Sequence, residues 1–177
     1  MKNPWKKIKS KIIYESQWLK FREDEVAFNG KENTYSYIDK LPGAVCFAMT
    51  DDNQIYLVGQ WRYLINKYSI EVPMGTGDEG EDDLSVAKRE LQEETGITAK
   101  KWEKIGEYYF ADGICNQKGY IFLAKDLDIG KTNFDDTEEI HFMKVPINKV
   151  EQMIKDGEIF DAPSIAAFYQ FKLHLGL

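Results

Sequence analysis

Apolar and polar residues along the first forty positions follow the spacing of β-strands. Residues 8–16, 18–28 and 34–39 alternate in polarity or are rich in β-branched and aromatic side chains. Asn29 and Gly30 lie between the second and third of these segments and favour a turn. The pattern therefore predicts three strands in this region.

A second block of strands follows. Residues 43–50 and 54–61 are short apolar runs separated by a polar turn, so they predict a hairpin of two buried strands. Residues 67–73 predict a further strand, which Pro73 ends.

An amphipathic helix is predicted after a loop at 74–83 that is rich in glycine and acidic residues. Asp82 or Asp83 can cap this helix, apolar side chains share one of its faces, and Gly96 stops it. Three further strands are predicted at 102–110, 118–125 and 140–145. Two further helices are predicted to begin near Ile147 and Pro163. This order of elements predicts an α+β domain with helices packed on mixed sheets.

Composition excludes several classes of protein. The 177 residues, 43% of them hydrophobic, suffice for one globular domain with or without a small extension. A net charge of −7 argues against nonspecific nucleic-acid binding. No apolar run is long enough to span a bilayer or to resemble a signal peptide, and Cys46 and Cys115 predict free thiols. We therefore expect a cytoplasmic protein with no membrane or nucleic-acid partner.

The segment from Gly75 to Ile97 carries the candidate chemistry. On a helix, Glu90 and Glu94 are neighbours on one face, and Glu93 lies beside them. One interpretation of these charges is a solvated acidic face. The other is a metal site, because clustered carboxylates suit Mg²⁺ or Mn²⁺, which keep water ligands and bridge to substrate phosphates.

The same segment resembles the Nudix box, G-x5-E-x7-R-E-U-x-E-E-x-G-U with U aliphatic, at every fixed position. The resemblance implies the Nudix fold, in which mixed β-sheets are sandwiched between helices (α/β/α). It implies that Glu90 and Glu94 are the principal Mg²⁺ ligands and that Glu93 is a further ligand or lies next to the metal. The Met74 carbonyl is a possible backbone ligand, and Arg89 is expected to orient the box glutamates. The ligand side chains are expected to lie outside the core.

Outside the box, residues 59–75 resemble the ADP-ribose and nucleoside-diphosphate-sugar pyrophosphatase branch of that family. By this resemblance Arg62 contacts the diphosphate, and Glu71 contacts the base or a metal-bound water. The alternative for Arg62 is a surface charge on an edge strand. Asp112 stands where the branch usually has a proline, which leaves room for other nucleotide sugars, including GDP-mannose. Asp112 either accepts hydrogen bonds from a sugar hydroxyl or caps a turn.

The mechanism implied by the resemblance is metal-assisted attack of water on phosphorus, with a carboxylate accepting the proton. In this branch the base is often a glutamate on a loop well beyond the box, and Glu138 is the candidate here. Glu139 and Glu93 are alternatives for the base. A solvated acidic loop is the alternative interpretation of residues 135–139.

Residues 1–40 are expected to form a β-strand dimerisation region, and residues 41–177 the Nudix domain, because this branch typically forms a homodimer through such an extension. The branch commonly holds adenine between side chains of both subunits, and Trp18 and Tyr35 match the positions of those side chains. A base stacks favourably on an aromatic face. The alternative is that both residues pack the extension or fill the dimer interface.

The function expected from the sequence is Mg²⁺-dependent hydrolysis of the diphosphate bond of a nucleoside-diphosphate sugar. The substrate would be ADP-ribose or a similar compound, and the products a nucleoside monophosphate and a sugar phosphate. One alternative is a Nudix hydrolase for dinucleoside polyphosphates, oxidised nucleotides or capped RNA. The other is a catalytically inactive nucleotide-binding module.

Overall fold

The computed structural model describes residues 1–130 and 140–177, which form two compact units. The first unit comprises Met1–Leu41 and Tyr109–Lys118, and the second comprises Pro42–Tyr108 and Gly119–Leu177. Residues 109–118, which were expected to belong to the Nudix domain, are grouped with the N-terminal strands.

The first unit is built on a three-stranded antiparallel sheet. Its strands are β1 (Trp5–Glu15), β2 (Lys20–Phe28) and β3 (Lys31–Asp39), with β2 in the centre. Asn29 and Gly30 connect β2 to β3 with left-handed backbone angles, φ 49° and 81°, as a two-residue hairpin turn requires. The three predicted strands and the turn are confirmed.

Residues 109–118 join this sheet through the backbone of β3. The Ile38 N–H donates to the Ile114 carbonyl at 2.8 Å, and the Asn116 N–H donates to the Ile38 carbonyl at 3.2 Å. These bonds pair residues far apart in the sequence, which is why the local hydrophobic pattern did not predict the grouping.

The other elements belong wholly or mainly to the second unit. Their bounds are β4 (Gly43–Ala48), β5 (Gln54–Arg62), β6 (Lys67–Glu71), β7 (Met74–Thr76), α1 (Asp83–Thr95), β8 (Ile97–Tyr109), β9 (Lys118–Ile129), β10 (His141–Pro146), α2 (Ile147–Lys155) and α3 (Ala162–Leu175). The strands form two sheets, in the orders β7-β4-β9-β8 and β10-β5-β6. None of the helices found in residues 1–130 and 140–177 is long and apolar enough to cross a membrane.

The hairpin predicted from β4 and β5 is wrong. β4 lies between β7 and β9 and pairs in parallel with β9, whereas β5 lies between β10 and β6. A bridge between Met49 and Ile55 joins the ends of the two strands. Both strands are buried along most of their length and take partners on both edges, so the chain passes from one sheet to the other at the turn. The loop predicted at 74–83 likewise begins with a strand, β7, which pairs with β4.

Successive residues of β4 face two different hydrophobic cores. Val45 and Phe47 face α2 and α3, and the rings of Phe47 and Phe171 stack with their centroids 4.4 Å apart. On the opposite face small residues pack against α1, namely Ala44, Cys46 and Ala48. The sheet is therefore covered by helices on both sides, which confirms the predicted α/β/α arrangement.

Helix α1 begins and ends at capping residues. Asp82 is the N-cap, and its carboxylate accepts hydrogen bonds from the N–H groups of Leu84 and Ser85, both at 3.1 Å. Gly96 ends the helix in a left-handed conformation, φ 70°, and its N–H donates to the Gln92 carbonyl. These two caps determine where α1 begins and ends.

Candidate active site

The carboxylates of α1 lie against the short strand β7. Oε2 of Glu94 accepts a hydrogen bond from the Met74 N–H at 3.1 Å. Glu94 is only 6% exposed, so the expectation that the ligand side chains lie outside the core is wrong for this residue. Burial is possible because the backbone of β7 supplies a hydrogen-bond donor to the carboxylate.

Gly75 makes room for the second carboxylate. A Cβ at this position would lie 2.0 Å from the carboxyl carbon of Glu90, so the Glu90 carboxylate occupies the space that any other residue at position 75 would fill. Two carboxylates one helical turn apart are therefore seated on consecutive residues of one strand.

Arg89 neutralises much of the negative charge around this face. Its guanidinium donates to Glu81 at 3.0 Å, to Glu90 at 2.8 Å, to Glu93 at 3.0 Å and to the Thr76 carbonyl at 3.1 Å. Hydrogen bonding to Glu81 is the main reason that the pKa of Arg89 is raised, and the same pair lowers the pKa of Glu81. Arg89 thus connects the glycine-rich loop, β7 and α1.

The donor chemistry of this face fits a divalent cation that keeps water ligands. No three His, Cys, Asp or Glu side chains in residues 1–130 and 140–177 converge into a ready metal cage. Glu90 and Glu94 instead provide hard oxygen donors beside the backbone of Met74 and Gly75. Such a partial donor set suits Mg²⁺, which typically takes one or two carboxylates and completes its shell with water and substrate phosphates. Glu93, on the Arg89 side, is more exposed.

Arg62 and Glu71 form a two-point ion pair. Nε of Arg62 donates to Oε1 of Glu71 at 2.8 Å, and Nη2 contacts Oε2. The Glu71 side chain is almost fully buried, while 42% of the Arg62 side chain is exposed. The remaining N–H groups of the guanidinium can therefore contact an anion that arrives from solvent.

The first unit contains a separate cavity of about 530 Å³. Tyr35 and Asp112, both candidate substrate-binding residues, line it together with aromatic, apolar and polar side chains, which include Trp5, Tyr37 and Ile114. The Tyr35 hydroxyl donates to the Gly113 carbonyl at 2.7 Å. Trp18 is 75% exposed and is not among the residues lining this cavity, so the structure brings Tyr35 and Asp112 together without Trp18.

Asp24 is a feature of this cavity that the sequence analysis missed. Its side chain is 5% exposed, Oδ2 lies 2.8 Å from the Lys7 ammonium, and Oδ1 has no hydrogen-bond partner among the described residues. Burial alone would raise the pKa of Asp24, but hydrogen bonds from Lys7 and its neighbours keep that pKa below the usual value. Asp24 alternates with Val26 on the face of β2 that is buried, and this spacing was the available signal.

Glu138, the candidate base, and Glu139 lie outside the described residues. Ser164 is a second residue that the sequence analysis missed. It is buried in the first turn of α3, and its hydroxyl accepts a hydrogen bond from the Val72 N–H at 3.0 Å.

Comparison with known proteins places the chain in a family. The family model described as NUDIX domain matches residues 39–168. The chain is 34% identical over 154 residues to the ADP-ribose pyrophosphatase of Bacillus subtilis (strain 168), an alignment that covers 85% of this chain and 83% of that protein. It is 28% identical over 175 residues to the methanol dehydrogenase activator of Bacillus methanolicus, covering 97% and 95%.

Two further matches differ in what they cover. A GDP-mannose pyrophosphatase of Enterobacter sp. (strain 638) is 28% identical over 99 residues, covering 54% of this chain and 51% of that protein. A solved structure titled "Crystal structure of ADP compounds hydrolase" superposes with a TM-score of 0.83 at 19% identity, covering 98% and 95%, and therefore supports the fold. The site and the α/β/α layers agree with the family match. The chain belongs to the Nudix family of hydrolases.

Proposed function

We propose that this protein is a Mg²⁺-dependent pyrophosphatase that cleaves the diphosphate of ADP-ribose or a similar nucleoside-diphosphate sugar. The products would be a nucleoside monophosphate and a sugar phosphate. The observation that carries the proposal is the seating of Glu90 on Gly75 and of Glu94 on the Met74 N–H. The relatives named ADP-ribose pyrophosphatase support the choice of substrate class.

In this proposal Glu90 and Glu94 hold the metal, with the Met74 carbonyl and Glu93 as further candidate ligands. The bound cation, Mg²⁺ or alternatively Mn²⁺, would neutralise charge on the diphosphate and lower the pKa of the attacking water. Arg89 keeps the carboxylates apart and oriented through its hydrogen bonds to Glu90 and Glu93.

Arg62 is proposed to contact a diphosphate oxygen, with Glu71 holding its guanidinium in place. The two-point pair fixes the plane of the guanidinium, while its exposed side remains open to solvent. The buried partner supports this role for Arg62 over the alternative, a surface charge on an edge strand.

The cavity of the first unit is proposed to hold the nucleotide base. Its aromatic side chains offer faces for stacking, and the neighbouring Asp24 carboxylate and Lys7 ammonium offer an acceptor beside a donor. The polar edge of a base presents the complementary groups. Asp112 would contact the ribose or the second sugar from the rim.

A homodimer is proposed because β1 is an edge strand with an exposed apolar surface. All eleven residues of Trp5–Glu15 are exposed, and the set includes Ile8, Ile12 and Ile13. An edge strand of this length that bears apolar side chains is a typical pairing surface. Trp18, which is also exposed, would then reach a base bound by the second subunit.

GDP-mannose is the second candidate substrate. The proline expected by the ADP-ribose branch is replaced by Asp112 in this chain, and GDP-mannose pyrophosphatases are among its relatives. The alignment with the Bacillus subtilis ADP-ribose pyrophosphatase covers more of the chain, which favours the first candidate.

A substrate panel tests the proposed function. ADP-ribose, GDP-mannose, a UDP-sugar and a dinucleoside polyphosphate would each be incubated with Mg²⁺, and the products separated by anion-exchange chromatography. We expect AMP and ribose 5-phosphate from ADP-ribose at the highest kcat/KM. Preferential cleavage of the dinucleoside polyphosphate would contradict the proposal.

Replacing Glu94 tests the proposed metal site, the face of α1 that carries Glu90 and Glu94. Glu94→Gln keeps the shape and an acceptor for the Met74 N–H but removes the charge, so we expect a roughly hundredfold loss of kcat with little change in unfolding temperature. Steady-state kinetics and thermal unfolding measure the two effects. Near-normal kcat in this variant would refute the assignment of Glu94 as a ligand.

Replacing Gly75 tests the seating of Glu90. The new Cβ of Gly75→Ala would displace the Glu90 carboxylate, and we expect a loss of kcat on the order of ten- to a hundredfold. Gly106→Ala is the matched control, because its Cβ would likewise meet the end of one flexible side chain, that of Gln170, at 2.1 Å. Equal losses in the two variants would show that the Glu90 position is not special.

Replacing Glu138 tests the proposed base. Removal of a general base typically costs about 10²–10⁴-fold in rate, so Glu138→Gln should lower kcat by that order while leaving Mn²⁺ affinity almost unchanged. Glu139→Gln is the control in the adjacent position. If only Glu139→Gln is inactive, the base is Glu139.

Replacing Asp24 tests the base-binding cavity. A hydrogen bond to a charged group contributes about 1.5–3 kcal/mol, so Asp24→Asn should raise KM for ADP-ribose by about tenfold or more with little change in kcat. Glu23→Gln is the control, because Glu23 neighbours Asp24 in β2 and is likewise the ion-pair partner of a lysine, Lys11. An unchanged KM in Asp24→Asn would exclude a role in base recognition.

A further inference from the structure

Two residues, Val72 and Pro73, connect β6 to β7 and lie between the two charged groups of the candidate site. Glu71, the last residue of β6, pairs with Arg62, and Met74, the first residue of β7, donates its N–H to Glu94. The conformation of this short connection therefore sets the position of both groups at once. The orientation of its backbone depends on the hydrogen bonds formed by Val72 and Pro73.

Backbone groups of Val72, Pro73 and Met74 form hydrogen bonds, each with a different element. The Pro73 carbonyl accepts the Cys46 N–H of β4 at 2.9 Å, and the Met74 N–H donates to Glu94 of α1 at 3.1 Å. The Val72 N–H donates to the Ser164 hydroxyl of α3 at 3.0 Å. The third bond differs from the other two because its acceptor is the side-chain hydroxyl of a residue in α3.

Ser164 is held in place by the start of its own helix. Asp161 is the N-cap of α3, and its Oδ2 accepts the Ser164 N–H at 2.8 Å. The Ser164 hydroxyl accepts the Val72 N–H and is also hydrogen-bonded to the Asp161 carboxylate. Both Ser164 and Val72 are 1% exposed. Water therefore has no access to replace the hydroxyl as a partner for the Val72 N–H.

We propose that Ser164 is a positioning residue of the hydrolytic site. By accepting the Val72 N–H it fixes the peptide between Glu71 and Val72, and so keeps the Glu71 carboxylate against Arg62 and Met74 beneath Glu94. A buried N–H that loses its acceptor is energetically unfavourable, which favours rotation of its peptide toward another acceptor. In Ser164→Ala that rotation shifts Met74, which lies beneath Glu94, without replacing any carboxylate of α1.

The inference rests on the proposed metal face of α1 but not on the identity of the substrate. Its main readout is therefore Mn²⁺ binding without nucleotide, measured by electron paramagnetic resonance titration. We expect Ser164→Ala to weaken Mn²⁺ binding by about tenfold, comparable to the loss of a hydrogen bond that orients a metal ligand. Where a cleaved substrate is known, kcat should fall more than KM rises.

Two variants separate positioning from a general loss of stability. Ser69→Ala removes the same hydroxyl from another buried residue, in β6, and should leave Mn²⁺ affinity within twofold. Ser164→Thr retains the hydroxyl and should restore most of the affinity lost in Ser164→Ala. Unchanged Mn²⁺ affinity in Ser164→Ala, or an equal loss in Ser69→Ala, would overturn the proposal.

Amide hydrogen exchange of the unmodified protein provides a test that needs no variant to fold. The Val72 N–H should exchange as slowly as the Cys46 and Met74 amides, which have the other two bonds of the connection. Fast exchange at Val72 alone would overturn the proposal. If no nucleotide sugar is cleaved, the proposed function fails, while the Mn²⁺ titration and the exchange rates still decide the role of Ser164.

Discussion

Repulsion among the carboxylates on one turn of α1 is the constraint on which the candidate site depends. Arg89 offsets part of this repulsion through hydrogen bonds to Glu81, Glu90 and Glu93. The backbone of β7 stabilises Glu94, because the Met74 N–H donates to its carboxylate. The second solution requires β7 to lie directly beside the helix. The small residues of β4 that face α1, and the glycine at position 75, allow this close packing.

The parts of the structure that local pattern predicted are those determined by neighbouring residues. The caps of α1 follow from an aspartate and a glycine at the ends of an amphipathic segment, and the turn at Asn29-Gly30 follows from two residues that tolerate left-handed angles. The carboxylates share a face because a helix has a fixed period. Each of these inferences needs only residues within about one or two turns of each other.

The parts that were missed depend on pairings between distant residues. β4 and β5 diverge because β9 and β10, more than sixty residues further along, supply their partners. The same holds for residues 109–118 on β3, and for Ser164, whose role arises from one bond to Val72. The burial of Glu94 was missed because an acidic side chain is usually exposed, whereas here the Met74 N–H, from a distant part of the sequence, donates a hydrogen bond to its carboxylate.

Gly75 also restricts how this protein can evolve. Every single-nucleotide change of a glycine codon that alters the residue introduces a side chain or a stop, and any side chain at position 75 meets the Glu90 carboxylate. Each such change therefore displaces this carboxylate from its position beside β7. Gly113, on the segment beside Asp112, has nothing within 4 Å of an added Cβ, so substitutions accumulate there at low cost. Natural variation among descendants of this chain would consequently be tolerated more readily at Gly113 than at Gly75.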